Sequence, residues 1–257
     1  MHVLLIDGLN LIRRVHAGVP ERGDSDEYKN SVEEACIASL RRALRQHHPS
    51  HVLCVLDGEG PSWRSALFPD YKKSRQPMPD KLRIWITQIV ERFDNEGVGT
   101  VIVPGVEADD LIASIALKIV EAGGRVTVLS TDKSFCQLLS IGISVYDHFS
   151  GQERDHRYVQ ERYGVEPDQL VDLFALAGDS SLDIPGIRGI GVRTAAKLLR
   201  DYRGLEDVFA AADGISGSLG SKIMYGKEAA RLAYRLVALC GDASVGVNLK
   251  NFRYLAE

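Results

Sequence analysis

Carboxylates stand at places in this sequence where they could meet. Asp7 follows the apolar run Val3 to Ile6, and Asp57 follows Val52 to Leu56. Glu107, Asp109 and Asp110 crowd the stretch VPGVEADDLI just after Thr100 to Val103, and Asp132 comes soon after Val126 to Leu129. Acids gathered in this way, with no basic residue among them, would be driven to protonate unless a cation sat between them. Oxygen donors alone suit a hard ion, Mg²⁺ or Mn²⁺, better than zinc. Such an ion keeps several waters, takes substrate phosphate as a further ligand, and lowers the pKa of a bound water for in-line attack on a phosphodiester.

The elements that position these acids follow from hydrophobic pattern. The runs VLLI, VLCVL, TVIV, VTVL and ISVY read as buried strands. Between most of them lie helical patterns; SVEEACIASLRRALRQ and DLIASIALKIVEAG each place apolar residues at i, i+3, i+4 and i+7. Strands alternating with helices predict an α/β fold, a mostly parallel central sheet with helices on both faces. Ligands of such sheets bind outside the carboxyl ends of the strands, where Asp7, Asp57, Glu107, Asp109, Asp110 and Asp132 would converge. On a helix opening at Glu107, positions 107 and 110 share a face and 109 turns to the flank of the same site. Acids in a first helical turn also suit the positive helix end, so that cluster alone has a reading without metal. The other three acids favour the metal.

After Asp155 the pattern becomes helical only, which divides the chain into a core, residues 1–155, and a helical subdomain, 156–257. Within the second part IPGIRGIGVRTAAKLL, Ile184 to Leu199, is a Gly-rich turn running into a helix with Arg188, Arg193 and Lys197. Backbone N–H groups at such a helix start can grip phosphate without reading sequence; a tight turn between helices is the alternative. The loop YKKSRQPMPDK, with Lys72, Lys73, Arg75 and Lys81, is either a solvated loop or a source of positive charge at a scissile phosphate.

The 257 residues, 45% hydrophobic and 26% charged, suit one globular body of one or two domains. No apolar run approaches a membrane span, and MHVLLIDGLN has an acid where a signal peptide is still apolar, so a cytoplasmic protein is expected. Cys36, Cys54, Cys136 and Cys240 lack metal-site spacing and read as reduced core thiols. A net charge of −4 argues against nucleic acid unless the acids are gathered round cations.

Taken together these segments resemble the bacterial 5′-nuclease (flap endonuclease) family, as in the N-terminal domain of DNA polymerase I, and especially its stand-alone exonuclease IX-type members. LLIDGLNLIRR, DYKKSRQPMP, GVEADDLIASIA, LSTDKSFCQLLS, YGVEPDQLVDLFALAGDSS and IPGIRGIGVRTAAKLL occur in the family's order. The resemblance implies a nuclease core followed by a DNA-binding subdomain with a helix-three turn-helix at about 184–199. It implies that Asp7, Asp57, Glu107, Asp109, Asp110 and Asp132 hold the first Mg²⁺, and that Lys72 and Arg75 act near the scissile phosphate. It further implies a K⁺ held by main-chain carbonyls of Leu176, Ala177, Pro185, Ile187 and Ile190. Duplex backbone would then lie against Gly189, Ile190, Gly191, Val192, Arg193 and Thr194, with Arg188 and Lys197 beside them. The substrate implied is duplex DNA next to a 5′ single-stranded flap, cut by a monomer.

Two departures bear on a second Mg²⁺. Ser134 stands where the polymerase-type members have an aspartate, in STDKS, and Leu182 replaces another in GDSSL. Asp179 survives and Asp183 is one position off, so a second cation is expected to be weakly held. These losses also motivate a rival, a DNA-junction-binding protein whose catalysis has decayed. A metal-dependent ribonuclease of similar topology is a third reading, disfavoured by a turn suited to duplex DNA.

Overall fold

The computed structural model describes residues 1–21, 23, 25–244 and 246–255. The five apolar runs pair as β1 (His2–Asp7), β2 (His51–Val55), β3 (Gly99–Val101), β4 (Arg125–Leu129) and β5 (Ser144–Asp147), all parallel, in the order β3-β2-β1-β4-β5. A short β6 (Gln152–Glu153) adds antiparallel at the β5 edge. β3 ends two residues before the expected Val103, because the chain turns at Pro104-Gly105.

Both sheet faces are covered, which is why the strands read as continuous apolar runs. Alternate residues point opposite ways. Val3, Leu5, Leu53, Val55, Val126 and Val128 pack in one core with helix α5 (Ala108–Glu121). Leu4, Ile6, Val52 and Cys54 pack in the other with α1 (Gly8–Gly18), α2 (Ser25–His47) and α4 (Asp80–Asn95). A short helix, α3 (Trp63–Leu67), follows β2.

The chain runs outward from β1 to β2 and β3, then returns to place β4 on the other side of β1. The crevice where the order reverses therefore opens at the carboxyl ends of β1 and β4, beside Asp7 and Asp132. Close packing there is strict. A Cβ on Gly58 would sit 1.8 Å from the Val103 carbonyl, so only glycine lets the segment after Asp57 cross the end of β3.

The second part comprises α6 (His156–Tyr163), α7 (Leu170–Ala177), α8 (Val192–Asp201), α9 (Leu205–Ala211) and α10 (Ser218–Val237). Two minimal strands, β7 (Gly178–Asp179) and β8 (Ile184–Pro185), pair antiparallel between α7 and α8. The helices have no separate core: Phe174, Leu176, Leu236 and Val237 belong to the same buried cluster as Val128 and Phe135. Packing is thus continuous across residue 155.

Cys36, Cys54 and Cys136 are buried free thiols. Cys240 is half-buried and corrects the expectation of four core thiols; it lies beyond the end of α10, with its Sγ 2.8 Å from Asp242 Oδ1. No helix among the described residues is long and apolar enough to cross a membrane.

Candidate metal and phosphate site

At the switch point a cleft of about 270 Å³ is lined by Asp7, Asp57, Asp109 and Asp132 together with Asn10, Arg13, Arg14, Lys72 and Arg75. Each acid arrives by a local rule of chain geometry. Asp7 closes β1 and caps α1, accepting from Asn10 N at 3.1 Å, and its other oxygen accepts from Ser130 Oγ at 2.8 Å. Asp57 reaches across to accept from Ala108 N at 2.7 Å, at the start of α5. Asp132 caps the 3₁₀ helix Lys133–Ile141, its Oδ1 accepting from Ser134 N and Oγ at 2.8 and 2.7 Å. Asp109, in the first turn of α5, accepts no hydrogen bond among the described residues, and the nearest cation is Lys72 Nζ at 3.9 Å.

The four carboxylates act on one another. Burial pushes the Asp7 carboxyl up to about 7 against the hydrogen bonds from Ser130 and Asn10, and the charges of Asp132 and Asp57 add to the rise. Burial and then the charge of Asp132 raise Asp109 well above the usual carboxylate range, and Lys72 does not cancel this. Acids held at pKa values this high are short of positive charge. Among the described residues no three His, Cys, Asp or Glu side chains close on one point as a ready-made cage. A hard cation that retains waters fits a spread set of oxygen donors of this kind.

Glu107, the N-cap of α5, and Asp110, in its first turn, were both expected at the ion; neither lines the cleft, and both are engaged by bases of this chain. Asp110 is 1% exposed and is bound by Arg64 Nη1 and Nη2 at 2.8 Å each, by Trp63 Nε1 at 2.8 Å and by Cys240 N at 2.9 Å. Glu107 accepts from Arg64 Nη1 and from Lys72 Nζ, both at 2.7 Å, and so borders the cleft only through Lys72. The remaining Arg64 donors reach the carbonyls of Leu236 and Ala238 at 2.8 Å, at the end of α10. Its cationic centre lies 4.5 Å from the Trp63 ring. α5 is buried nearly all round, so an acid on its inner side must be paired.

The expectation that no base stands among these acids is therefore wrong. Lys72 is held charged: burial opposes its charge, but Asp109 and Glu107 outweigh burial and raise its pKa. Arg13 and Arg14 were also missed. Both follow Asn10 at helical spacing on α1, and both line the cleft; Arg14 Nε reaches Thr131 Oγ1 at 3.2 Å. Their signal was the i, i+3, i+4 relation to Asn10. Arg64 had no such local signal.

Asp179, expected as a weak ligand for a second Mg²⁺, is engaged by groups of the chain itself. It is 5% exposed, and Lys133 Nζ lies 2.9 Å from its carboxylate. Ser181 N and Oγ donate to it at 3.0 and 2.7 Å. Leu182, which stands where the family has a carboxylate, is buried in the main core at 8% exposure.

In the Gly-rich turn, Arg188, Gly189, Gly191, Val192, Arg193 and Lys197 are exposed, and Thr194 is half-buried. Gly189 has φ +81°, and α8 opens at Val192 behind the N-cap Gly191 with no side-chain cap and no acid in its first turn, so no capping side chain occupies its leading N–H groups. Ile190 is 3% exposed, so it offers only main chain. β7 and β8 set Pro185 opposite Gly178, and Ile187 N donates to the Leu176 carbonyl at 2.8 Å. A Cβ on Gly186 would lie 2.4 Å from the Ala177 carbonyl carbon, so glycine permits this approach.

Residues 2–164 match the 5′-3′ exonuclease N-terminal, resolvase-like domain, and residues 165–256 match the 5′-3′ exonuclease C-terminal SAM fold. The chain is 42% identical over 250 residues to the flap endonuclease Xni of Shewanella putrefaciens, covering 97% of this chain and 94% of that one. The same identity holds over 252 residues to the flap endonuclease Xni of Shewanella baltica, covering 98% and 94%. In fold it is similar to the T5 5′-exonuclease with bound zinc, at TM-score 0.81 and 20% identity over 93% of this chain and 90% of that one. It is also similar to the catalytic core of Rad2 in complex with DNA substrate, at TM-score 0.59 and 13% identity over 96% and 81%. With both halves matched in order and the identity running through nearly the whole length, this chain belongs to the bacterial 5′-nuclease (flap endonuclease) family.

Proposed function

We propose that the protein is a metal-dependent 5′-flap endonuclease whose divalent cation is held by Asp7, Asp57, Asp109 and Asp132. The observation that carries this reading is the single cleft in which those four acids face Arg13, Arg14, Lys72 and Arg75. Bound there, Mg²⁺ or Mn²⁺ supplies Lewis-acid polarisation of a phosphodiester and a water of lowered pKa. The chain's own part is to orient. Lys72, fixed by Glu107, and Arg75 present positive charge where a scissile phosphate gains negative charge in the transition state. Arg13 and Arg14, across the same cleft, hold the incoming strand against the acids. A labelled 5′-flap duplex incubated with Mg²⁺ is expected to be cut near the junction, with 3′-flap and blunt duplexes cut far more slowly and an EDTA control inert. Tight, flap-selective binding without cleavage would favour the decayed junction binder instead.

Duplex DNA is read here as contacting the N–H groups of Gly189 to Thr194 and the side chains of Arg188, Arg193 and Lys197, through phosphate alone. A K⁺ held by carbonyls of Leu176 and Ala177 at the end of α7 and of Pro185, Ile187 and Ile190 in the turn would add fixed positive charge beside the nearest phosphate. Arg193→Ala is expected to weaken binding equally across DNA sequences and to reduce the salt slope by about one unit. A loss confined to particular sequences would contradict phosphate contact.

Metal also links to stability through Asp7. Its folded pKa of about 7 is raised above the unfolded value, so the stability it contributes is complete below about pH 4 and is lost as pH rises through 7. A cation relieves that loss. The rise in Tm on adding Mn²⁺ should therefore be larger at pH 8 than at pH 5; an equal or smaller rise at pH 8 would count against the site.

A further inference from the structure

The segment Asp179 to Asp183, where the resemblance implies a second cation, does not fit one, and its residues are engaged otherwise. Lys133 and Ser181 occupy Asp179. Leu182 is buried, and its carbonyl accepts from Lys72 N at 2.9 Å. The Asp183 carboxylate reaches across to the basic loop, Oδ2 accepting from Ser74 N at 2.7 Å and Oδ1 from Ser74 Oγ at 2.8 Å. Three hydrogen bonds thus tie this segment to the loop at Lys72 and Ser74, immediately flanking Arg75. Lys72 and Asp183 both have φ +55°, in the left-handed region. Residues other than glycine hold that conformation rarely, and mostly where their surroundings fix it.

We propose that Asp183 is a positioning residue for DNA cleavage: with Ser74 and the Lys72–Leu182 backbone bond it forms a latch that sets Lys72 and Arg75 at the carboxylate cleft. The proposal rests on the reading above that these two side chains act on the scissile phosphate. Residues 68–79 join α3 to α4, and a loop left free would have to be ordered at each encounter with substrate. Held in advance, its charges need no reorganisation as the transition state forms. Where the resemblance implies a metal ligand at position 182, this chain has a buried leucine and puts the same turn to a different use. The carboxylate of the next residue, Asp183, grips the loop.

Two substitutions separate the latch from the backbone. Asp183→Gly tolerates the left-handed φ but has no carboxylate, whereas Asp183→Asn also tolerates it and keeps an acceptor for Ser74 N and a donor for Ser74 Oγ. In the folded protein, brief trypsin treatment should cut after Lys73 and Arg75 several-fold faster in Asp183→Gly than in wild type, with Asp183→Asn close to wild type. Single-turnover cleavage of a 5′-flap duplex in Mg²⁺ should fall about tenfold in rate for Asp183→Gly with little change in DNA affinity, because the loss is in orientation. Asp183→Asn should restore most of that rate. In an Arg75→Ala background, Asp183→Gly should cost less than in wild type but not nothing, since only the part of its effect that runs through Arg75 is already lost and the part that runs through Lys72 remains. Trypsin resistance unchanged in Asp183→Gly, or rate losses that simply add in the double variant, would overturn the latch. Full activity of both Arg75→Ala and Lys72→Ala would instead overturn the assignment of the phosphate-contacting pair, and the proteolysis would still decide whether Asp183 fixes the loop.

Discussion

Asp109→Asn is expected to lower Mg²⁺-dependent flap cleavage by roughly a thousandfold or more, the scale seen when a principal source of transition-state charge stabilisation is removed. The same change should leave the fold intact. Asp109 accepts no hydrogen bond among the described residues and is raised in pKa by burial and by Asp132, so a neutral amide there relieves repulsion and gives up only the 3.9 Å ion pair with Lys72, which Glu107 still holds. Without metal the Tm of the variant should equal or exceed that of wild type. Cleavage at an unchanged rate would remove Asp109 from the site, and a sharply lower Tm would mean that its carboxylate has a structural partner.

The neighbouring carboxylate should behave in the opposite way. Arg64→Ala leaves Asp110, 1% exposed, and Glu107 without the guanidinium that binds both, and it leaves the carbonyls of Leu236 and Ala238 without their donor. Removing one partner of a buried ion pair costs about 3–5 kcal/mol, which for a chain of this size corresponds to roughly 10 °C in Tm. Asp110→Asn keeps some hydrogen bonds to Arg64 and should be milder in the same direction. Urea and thermal melts measure both. If Arg64→Ala unfolded like wild type, the cluster would have to be rebuilt by other groups; if Asp110→Asn abolished cleavage with no change in stability, Asp110 would belong with the cleft acids.

The contrast between residues 109 and 110 shows where sequence reasoning stopped. Parallel strands buried on both faces must be long apolar runs, and their carboxyl ends must share a rim, so β1 to β5 and the convergence of Asp7, Asp57, Asp109 and Asp132 were legible. The spacing also placed Glu107 and Asp110 on one helical face. What periodicity does not carry is which way that face turns, because the residue that decides it, Arg64, lies on a short helix 43 positions before Glu107. The pairs Lys133–Asp179 and Ser74–Asp183, separated by 46 and 109 positions, were hidden for the same reason. Motif resemblance marked 179–183 as altered, but only the packing shows that the altered residues acquired partners.

The proposed role of a single carboxylate cleft, without Asp179, is to hold the catalytic cation. It is tested most directly by calorimetric titration of the DNA-free protein with Mn²⁺, using wild type, Asp109→Asn and Asp179→Asn. One binding site in wild type, retained in Asp179→Asn and lost in Asp109→Asn, is the predicted result. Two sites of similar affinity in wild type, or one that survives Asp109→Asn and disappears in Asp179→Asn, would contradict it.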